Sequence, residues 1–546
     1  MTTRFRTTAR VVAVITALAL IAGACGDDDT DTGSGGSGNG GSDTSGAEPL
    51  SSGFVNGGDD AGGDPVAGGS LTMGVFSEAL SLDPVLSAGT GYAGGTEMAA
   101  IFDVLIRYDP VADEYVPQMA ESLTANDDNT VWTLELRPDV TFSDGTPLDA
   151  EVVKTSLDRQ AAEGRSAFLI NDNVDSIEVT GPLTVEFTLN KEWAGFPYVL
   201  AFHPGMITHP DSAAAGEEYG KSPIGAGPYT VEKYAPGEEI VLQARDDYWA
   251  GEPNIDTLTF KYLAGAEANL DALNSGTFQV ALLGEPQVST KAIDDGMAGW
   301  LRVNYSGGVS ILNVGDTARP TSELKVRQAI ASATDPEVLN QRTWAGKGVA
   351  SSSLYGEGSR WFADVEGVPY DPDKARELVE EAKSEGWDGK VEIVASATPP
   401  WNNAGLALQA LLEDVGFEVE LTQPATVGDQ LRTVNVDRNY DMSPTGYALD
   451  ESEPYVELSK KFGSTAVQNT AQYKSDEMDA LLTELAAADT PEATKEVIGR
   501  VQELINTDVP GIVWSHNPEL LAWVDSVHNV HPTVNAMLLF NEAWVD

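Results

Sequence analysis

The 546-residue chain contains one cysteine, Cys25, so an intrachain disulfide bond is excluded. Basic residues are also few: 32 lysines and arginines stand against 85 aspartates and glutamates, which gives a formal net charge of −53 at pH 7. A charge of this sign repels nucleic-acid backbones and anionic lipid headgroups, so neither is expected as a partner. We interpret the acidity as a well-solvated surface, and attraction of cationic ligands is the alternative interpretation.

Histidine is scarce as well, and the common catalytic motifs are missing. The five histidines include one close pair, His528 and His531, and a metal site there would need a third ligand from elsewhere in the chain. The sequence has no GxSxG or HExxH motif. Residues 215–222 match a relaxed phosphate-loop pattern, but they contain two glutamates, which repel phosphate, and Pro223 follows at once. We therefore predict no metal, no cofactor and no enzymatic activity.

Residues 1–24 have the features of a bacterial signal peptide. Three arginines lie before an apolar run, residues 11–22. This run is too short to span the membrane as a permanent helix. Small residues then lead to Cys25, in a stretch that resembles a lipobox although Ala22 stands where leucine is preferred. The resemblance implies cleavage before Cys25, lipidation of this residue and anchoring at the extracytoplasmic face of the cell membrane. An ordinary secretory signal is the alternative.

Residues 25–69 consist mainly of glycine, serine, aspartate and threonine, with few large apolar residues. Such a segment cannot offset the entropy that it would lose on ordering, so we predict a flexible acidic linker. A linker of this kind would hold the folded part of the protein off the membrane and leave it free to turn.

The remaining chain is too long for one core of ordinary size, which favours two or three lobes. An antiparallel hairpin is predicted where residues 229–234 and 240–244 flank the turn at residues 235–238. Residues 371–421 instead alternate helices with strands, and this pattern predicts a β-α-β crossover with parallel strands. Antiparallel hairpins thus give way to an α/β region along the chain.

The sequence GAGPY at residues 225–229, the hairpin, and ARDDYWAGEPNIDTLTFKYL at residues 244–263 resemble the solute-binding proteins of peptide and nickel ABC importers, extracellular family 5. The segment LKVRQAIASATD at residues 324–335 is similar to a signature of the same family. The resemblance implies an α/β, two-lobe periplasmic-binding-protein fold of class II, the Venus-flytrap fold, with an extra subdomain in the first lobe. The implied boundaries are residues 70–110, 215–315 and 510–546 for lobe I, 111–214 for the inserted subdomain and 316–509 for lobe II.

The resemblance places the ligand between the lobes and marks three candidate residues, and the β-α-β crossover adds a fourth. Asp450, in the stretch NYDMSPTGYALDESEPYVEL, falls on the position whose carboxylate pairs with the ligand's N-terminal ammonium in peptide-binding members; a turn or cap aspartate is the alternative. Tyr447 stands where the family usually has tryptophan. Tyr92 lies in a loop that faces the cleft, and Trp401 follows a strand end where ligands meet parallel sheets. Packing against neighbours is the alternative for both.

The function implied by the resemblance is that of a receptor. It would capture a small solute and deliver it to a membrane permease that is driven by a separate ATPase. We favour an oligopeptide or dipeptide as the ligand, and we expect a monomer. A nickel chelate or an oligosaccharide in the same fold is one alternative, and an extracellular hydrolase is another, which the missing catalytic motifs disfavour. Ligand binding would shift an equilibrium between open and closed forms.

Overall fold

The computed structural model describes residues 49–87 and 89–546. The predicted signal peptide, Cys25 and the first part of the predicted linker therefore lie outside the described residues. Within the described ranges, no helix is both long enough and apolar enough to cross a membrane.

The first part of the described chain is built from short strands and helices. In strand β6 (Val131–Leu136), Trp132, Leu134 and Leu136 are buried while the residues between them are half-buried, as expected for a strand with one face on a core. β5, β6, β8 and β7 pair in this order as an antiparallel sheet. The elements are β1 (Gly53–Val55), β2 (Ser70–Val75), α1 (Gly95–Phe102), β3 (Ile106–Asp109), β4 (Glu114–Pro117), β5 (Ala120–Ala125), β6 (Val131–Leu136), α2 (Ala150–Glu163), α3 (Ala167–Asn171), β7 (Val174–Gly181), β8 (Thr184–Leu189), α4 (Pro197–Ala201) and α5 (Ser212–Ala215).

The middle of the chain contains the predicted hairpin. Strands β9 (Tyr229–Ala235) and β10 (Glu239–Ala244) pair antiparallel, with Ile240 and Leu242 buried on one face, so this prediction is confirmed. The elements are β9 (Tyr229–Ala235), β10 (Glu239–Ala244), β11 (Thr257–Tyr262), α6 (Ala266–Asn274), β12 (Val280–Leu283), α7 (Pro286–Asp294) and β13 (Ala298–Leu312).

The last part of the chain contains the predicted β-α-β crossover. Strands β15 (Lys390–Val394) and β16 (Glu418–Thr422) pair parallel, and helix α11 (Trp401–Asp414) connects them, so this prediction is also confirmed. The elements are α8 (Leu324–Ala333), α9 (Pro336–Trp344), β14 (Val349–Ala350), α10 (Pro372–Ser384), β15 (Lys390–Val394), α11 (Trp401–Asp414), β16 (Glu418–Thr422), α12 (Val427–Leu431), β17 (Met442–Thr445), α13 (Pro454–Phe462), α14 (Asp476–Ala487), α15 (Pro491–Asp508), β18 (Gly511–Trp523), β19 (Val527–His528), β20 (His531–Pro532), β21 (Leu538–Leu539) and β22 (Trp544–Val545).

A large mixed sheet runs through the molecule in the order β16-β15-β17-β13-β18-β12-β2-β11-β10-β9, with β1 paired to β13 and β14 paired to β18. β13 has 15 residues and β18 has 13, and the two strands pair antiparallel. Trp300 and Leu521 at one end of this pair belong to one hydrophobic core, whereas Leu312 and Trp514 at the other end belong to a second core. β13 and β18 therefore connect the two cores.

The β13–β18 ladder is interrupted near its middle. Residues 305–307 of β13 stand opposite His516 alone, and the pairing resumes on either side. Ser306 adopts a positive φ of 50°, and its amide donates to Nδ1 of His516 at 2.9 Å. A bulge of this kind bends a strand pair and turns its unpaired backbone groups outward.

β1 lies within the segment for which the composition predicts a flexible linker. It pairs antiparallel with β13 and places Phe54 opposite Trp300. The Phe54 ring contacts the rings of Trp300 and Trp523 at centroid distances of 4.9 and 6.3 Å. The structure differs from the prediction here, because a distant strand edge and two tryptophans supply pairing and burial that local composition does not show.

Arg245 joins the sheet to the region that the sequence assigns to the inserted subdomain. Its side chain is 4% exposed. The guanidinium donates to the carbonyl oxygens of Thr141 at 3.3 Å, Phe142 at 3.2 Å and Gly227 at 3.1 Å. One buried cation therefore satisfies backbone acceptors from two parts of the chain.

We predict that Arg245→Met lowers the free energy of unfolding by about 3 kcal/mol, because buried carbonyl groups lose a charged donor. Lys233→Met is the matched control: the Lys233 ammonium pairs with Glu239 at the surface at 2.9 Å, and the loss of an exposed pair costs less than about 1 kcal/mol. Urea denaturation measures both values, and equal losses would contradict this role of Arg245.

Candidate functional site

Charged side chains from distant parts of the sequence meet at a cavity of about 220 Å³, which we call the central cavity. They come from β13, from the turn between β3 and β4, from the loop before α10 and from the loop before α13. The charged side chains on its wall are Asp113, Arg302, Arg360, Asp450 and Glu451. The cavity is therefore bordered by charges of both signs.

Arg302 is the centre of this arrangement. Its Nε and Nη2 donate to Oδ2 of Asp450 at 3.3 and 3.1 Å. Its Nη1 donates to Oε2 of Glu519 on β18 at 2.8 Å and to the hydroxyl of Tyr92 at 3.1 Å. One guanidinium thus neutralises a carboxylate on each side, and it does so in the forked geometry that favours arginine over lysine.

The bulge in β13 positions the loop that carries Asp450. The carbonyl oxygen of Tyr305 accepts from the amide of Leu449, and that of Ser306 accepts from the amide of Tyr447, each at 2.9 Å. Because the bulge frees these two carbonyls from the ladder, they hold the loop beside β13 and bring the carboxylate of Asp450 to Arg302.

Asp450 has partners for both carboxylate oxygens. Oδ1 accepts from the backbone amide and the hydroxyl of Ser452 at 2.9 and 2.5 Å, and Oδ2 accepts from Arg302. Burial by itself would raise the pKa of Asp450, but Arg302 and the hydrogen bonds from Ser452 outweigh burial and lower it. The carboxylate is therefore charged at neutral pH. Its contacts to Ser452 are those of a turn aspartate, and the same side chain lines the central cavity.

Tyr92 reaches the same cluster from the loop after β2. Its hydroxyl donates to Oε2 of Glu519 and accepts from Arg302. Burial, and next the charge of Glu519, raise the pKa of Tyr92 well above its ordinary value, so the hydroxyl keeps its proton. The structure thus brings two of the predicted site residues, Tyr92 and Asp450, to the same guanidinium.

Arg360 forms a second cluster on the wall of the central cavity. It pairs with Asp113 and donates to the hydroxyl of Tyr108 at 3.0 Å and to the carbonyl oxygen of Glu451 at 2.5 Å. The side chains of Arg360 and Asp113 are 27% and 43% exposed, compared with 10% for Arg302. Arg360 and Asp113 are therefore the more accessible charges for a ligand in the cavity.

A second cavity of about 610 Å³, which we call the side cavity, shares Val303 and Gly358 with the central cavity. Tyr305 and His516 line it and are buried. Burial lowers the pKa of His516 to about 3, and because its Nδ1 accepts from the amide of Ser306, the ring proton lies on Nε2. Both this Nε2 and the Tyr305 hydroxyl are buried within the wall, so neither atom is exposed to the side cavity.

Tyr447 lines a third cavity, of about 370 Å³, together with Gln430 and Lys461. Its ring meets Phe462 edge-on at a centroid distance of 5.4 Å. Burial, and next the neighbouring charge of Lys460, lower the pKa of Lys461 to about 8. The backbone of Tyr447 thus belongs to the Asp450 loop, while its side chain packs apart from the Arg302 cluster.

Trp401 is the first residue of α11, and its ring meets that of Trp344 edge-on at a centroid distance of 5.9 Å. It packs against the second core. These are the contacts of the packing alternative, and the structure does not bring Trp401 to the Arg302 cluster. Its role in ligand binding stays a prediction, and Cys25 lies outside the described residues.

The sequence analysis did not identify Arg302, Glu519 or Arg360. Arg302 lies within an apolar run, WLRV, and Glu519 directly precedes one, LLAW. A charge within a strand that is buried on both faces needs a partner of opposite charge, so these two positions are a usable signal. Arg360 lies in an irregular loop, where the sequence carries no comparable pattern.

Comparison with solved structures defines the class of protein. A dipeptide-binding protein from a Pseudoalteromonas species, solved with Met-Leu, gives a TM-score of 0.72 at 20% identity over 87% of this chain and 100% of that chain. The ABC transporter-associated periplasmic binding protein DppA from Helicobacter pylori, solved with the peptide STSA, gives 0.72 at 20% identity over 88% and 98%. The fold is that of a two-lobe periplasmic binding protein, and the prediction of an α/β fold of class II is confirmed.

Comparison of sequences defines the family. The model for bacterial extracellular solute-binding proteins, family 5 middle region, matches residues 114–469. The glutathione-binding protein GsiB of Escherichia coli strain K12 is 26% identical over 431 residues, which cover 76% of this chain and 81% of that protein. The chain belongs to bacterial extracellular solute-binding protein family 5. It is accordingly the substrate-binding receptor of an ABC transporter and not an enzyme.

Glu453 is a buried carboxyl group directly after the Asp450 loop. Its Oε1 accepts from the indole of Trp193 at 3.4 Å, but burial is the largest influence and raises its pKa from 4.5 to about 7. Below pH 4.5 the carboxyl group is protonated in the folded and the unfolded chain. Between that pH and the folded pKa only the unfolded chain ionises, so the folded state loses stability as the pH rises.

We predict that Glu453→Gln weakens this pH dependence. Between about pH 5 and about pH 8, the free energy of unfolding of the variant should fall by up to about 3 kcal/mol less than that of the unmodified chain. Some pH dependence should remain, because Glu97 is a second buried carboxyl group whose pKa is raised to about 7. Urea denaturation at each pH measures the effect, with the exposed Glu151→Gln as the control; parallel profiles for all three chains would contradict the prediction.

Proposed function

We propose that this receptor binds a short peptide, a dipeptide or an oligopeptide, at the central and side cavities. The observation that carries the proposal is the pair of opposite charges at the central cavity, where the accessible Arg360 and Asp113 lie beside the buried Arg302 and Asp450. A peptide carries an ammonium at one end and a carboxylate at the other, and such a wall complements both.

The position of the aromatic side chains supports a peptide over an oligosaccharide. A sugar site would use exposed aromatic faces, and the two aromatic candidates for that role, Trp401 and Tyr447, pack on Trp344 and Phe462. The charged side chains on the wall of the central cavity, Arg360 and Asp113, suit the two ends of a peptide instead.

We assign the ammonium of the peptide to Asp450. The low pKa of Asp450 keeps the carboxylate charged. Its oxygens already have internal partners, so the ammonium would take the place of a contact from Ser452 while Arg302 stays paired. In a cleft that excludes water, this ion pair is stronger than it would be at the surface.

The predicted lobes rotate about the connecting strands in this proposal. The second core takes side chains from residues 312–442 and 509–514 and supports that part of a lobe II at residues 316–509. Helices α13 to α15 of the same range pack on the first core instead. The antiparallel sheet of β5 to β8 supports an inserted subdomain at residues 111–214. Lobe I would then consist of residues 70–110, 215–315 and 510–546. A ligand that contacts both lobes would stabilise the closed form.

We predict that Asp450→Asn weakens the binding of a free-amine peptide by about tenfold or more, and that of its N-acetylated form by less than about threefold. The fold should persist, because Arg302 keeps its ion pair with Glu519 at 2.8 Å. Mass spectrometry of material that copurifies with the protein identifies the peptide, and calorimetry measures both affinities. The exposed Asp127→Asn is the control, and an equal loss for the two peptide forms would refute the assignment.

We also propose that a lipid on Cys25 holds the receptor at the extracytoplasmic face of the membrane, beside the permease. We predict that Cys25→Ser moves the protein from the membrane fraction to the soluble fraction, because the variant has no thiol to acylate. Fractionation followed by immunoblotting measures the distribution, and Ser34→Ala is the control. Retention of Cys25→Ser in the membrane fraction would contradict the proposal.

A further inference from the structure

Residues Pro49–Val55, which we call the strap, lie between the two cavities. Pro49 and Leu50 line the side cavity, whereas Ser51 and Ser52 line the central cavity. Both cavities also share Val303 and Gly358. The strap therefore lies between two neighbouring cavities with shared walls, which together we call the cleft.

The strap contacts both sides of this cleft. The hydroxyl of Ser52 accepts from the amide of Val303 on β13 at 3.1 Å and donates to Oε2 of Glu451 at 3.2 Å. The carbonyl oxygen of Leu50 lies so close to Gly358 that a Cβ atom there would come within 1.9 Å of it. A segment near the start of the described chain thus bridges β13 and the loops that the sequence assigns to lobe II.

The strap binds as an extended peptide would. Gly53, Phe54 and Val55 add a short antiparallel strand to an edge of β13, which is the way in which many proteins hold a peptide in trans. Phe54 anchors it against Trp300 and Trp523, and Leu50 packs on the core that contains Trp300. Because only three residues pair with β13, we expect the strap to detach at a lower free energy than the longer strands do.

We propose that the strap is an intramolecular occupant of the ligand cleft, and that a peptide ligand must displace it to bind. The inference rests on the proposed function, because it takes the ligand to be a peptide. Since the strap belongs to the same chain, its local concentration is high, and the measured affinity for a ligand is reduced by the fraction of molecules in which the strap is bound.

Gly358→Ala is the sharpest test, because the nearest atoms that the added Cβ would meet belong to Leu50 and Ser51 of the strap. In the full-length chain this change should raise hydrogen exchange at the amides of residues 53–55 by about tenfold or more. It should also raise the affinity for a defined tripeptide library, measured by mass spectrometry of retained peptides, by about tenfold. Val66→Ala is the control, because Val66 lies on the same segment outside the strap and is 47% exposed.

The second variant is the whole chain with only residues 49–55 deleted. After urea denaturation has shown that it folds, a synthetic peptide with the strap sequence PLSSGFV should bind it about tenfold or more tightly than it binds the unmodified chain. The same peptide with Phe54→Ala should bind about tenfold more weakly. In the deletion background, Gly358→Ala should add no further gain in library binding.

The outcomes of these experiments distinguish failure of the strap inference from failure of the proposed function. Failure of PLSSGFV to bind the folded deletion variant would overturn the inference. Equal retention of library peptides by the unmodified, Gly358→Ala and deletion chains would also overturn it and leave the peptide proposal standing. If PLSSGFV binds but none of the chains retains a library peptide, the peptide proposal fails, and displacement of the strap by a peptide ligand fails with it.

Discussion

A buried guanidinium, that of Arg302, holds the central cavity together. Removing an ion from water costs several kcal/mol in a protein interior, and this cost is offset only when the partners of the ion have good geometry. Arg302 meets that condition with Asp450 on one side and Glu519 on the other. Tyr92 and Ser452 complete the hydrogen bonds of the two acids. The position of each of these groups depends on the others, so the loop after β2, the two connecting strands and the loop before α13 form one unit.

Local patterns predicted much of the fold. The β9–β10 hairpin and the β15–α11–β16 crossover follow from turn residues and periodicity within single stretches of sequence. The pairing of β1 with β13 does not, because it joins residues that are more than 240 positions apart, and a strand of three residues is too short to show the alternation by which strands are predicted. Whether such a segment is ordered depends on its partner strand, and the composition of the segment carries no information about that partner.

The candidate site was only partly predictable. Asp450 and Tyr92 were found through resemblance, but the residue that joins them, Arg302, was not, because its meaning depends on two acids that lie 148 and 217 residues further along the chain. Trp401 shows the opposite case. Its place after a strand suggests a ligand contact, which stays a prediction, and the spacing gave no sign of the contact that its ring makes with Trp344 at the start of α11. The spacing of residues along one helix or strand predicts which face a side chain occupies. It does not predict which side chains a neighbouring element packs against that face.

If the proposed lobes rotate about β13 and β18, the bulge in β13 is where the strand pair bends most easily. Residues 305–307 have already left the ladder with β18, so a bend centred on them leaves the hydrogen bonds on either side unbroken. The same residues hold the loop that carries Asp450, so in the proposed rotation the bend would act on the contact between Asp450 and Arg302. The backbone pairing of the two strands would then stay intact, and side-chain contacts that a ligand can replace would supply the resistance to opening.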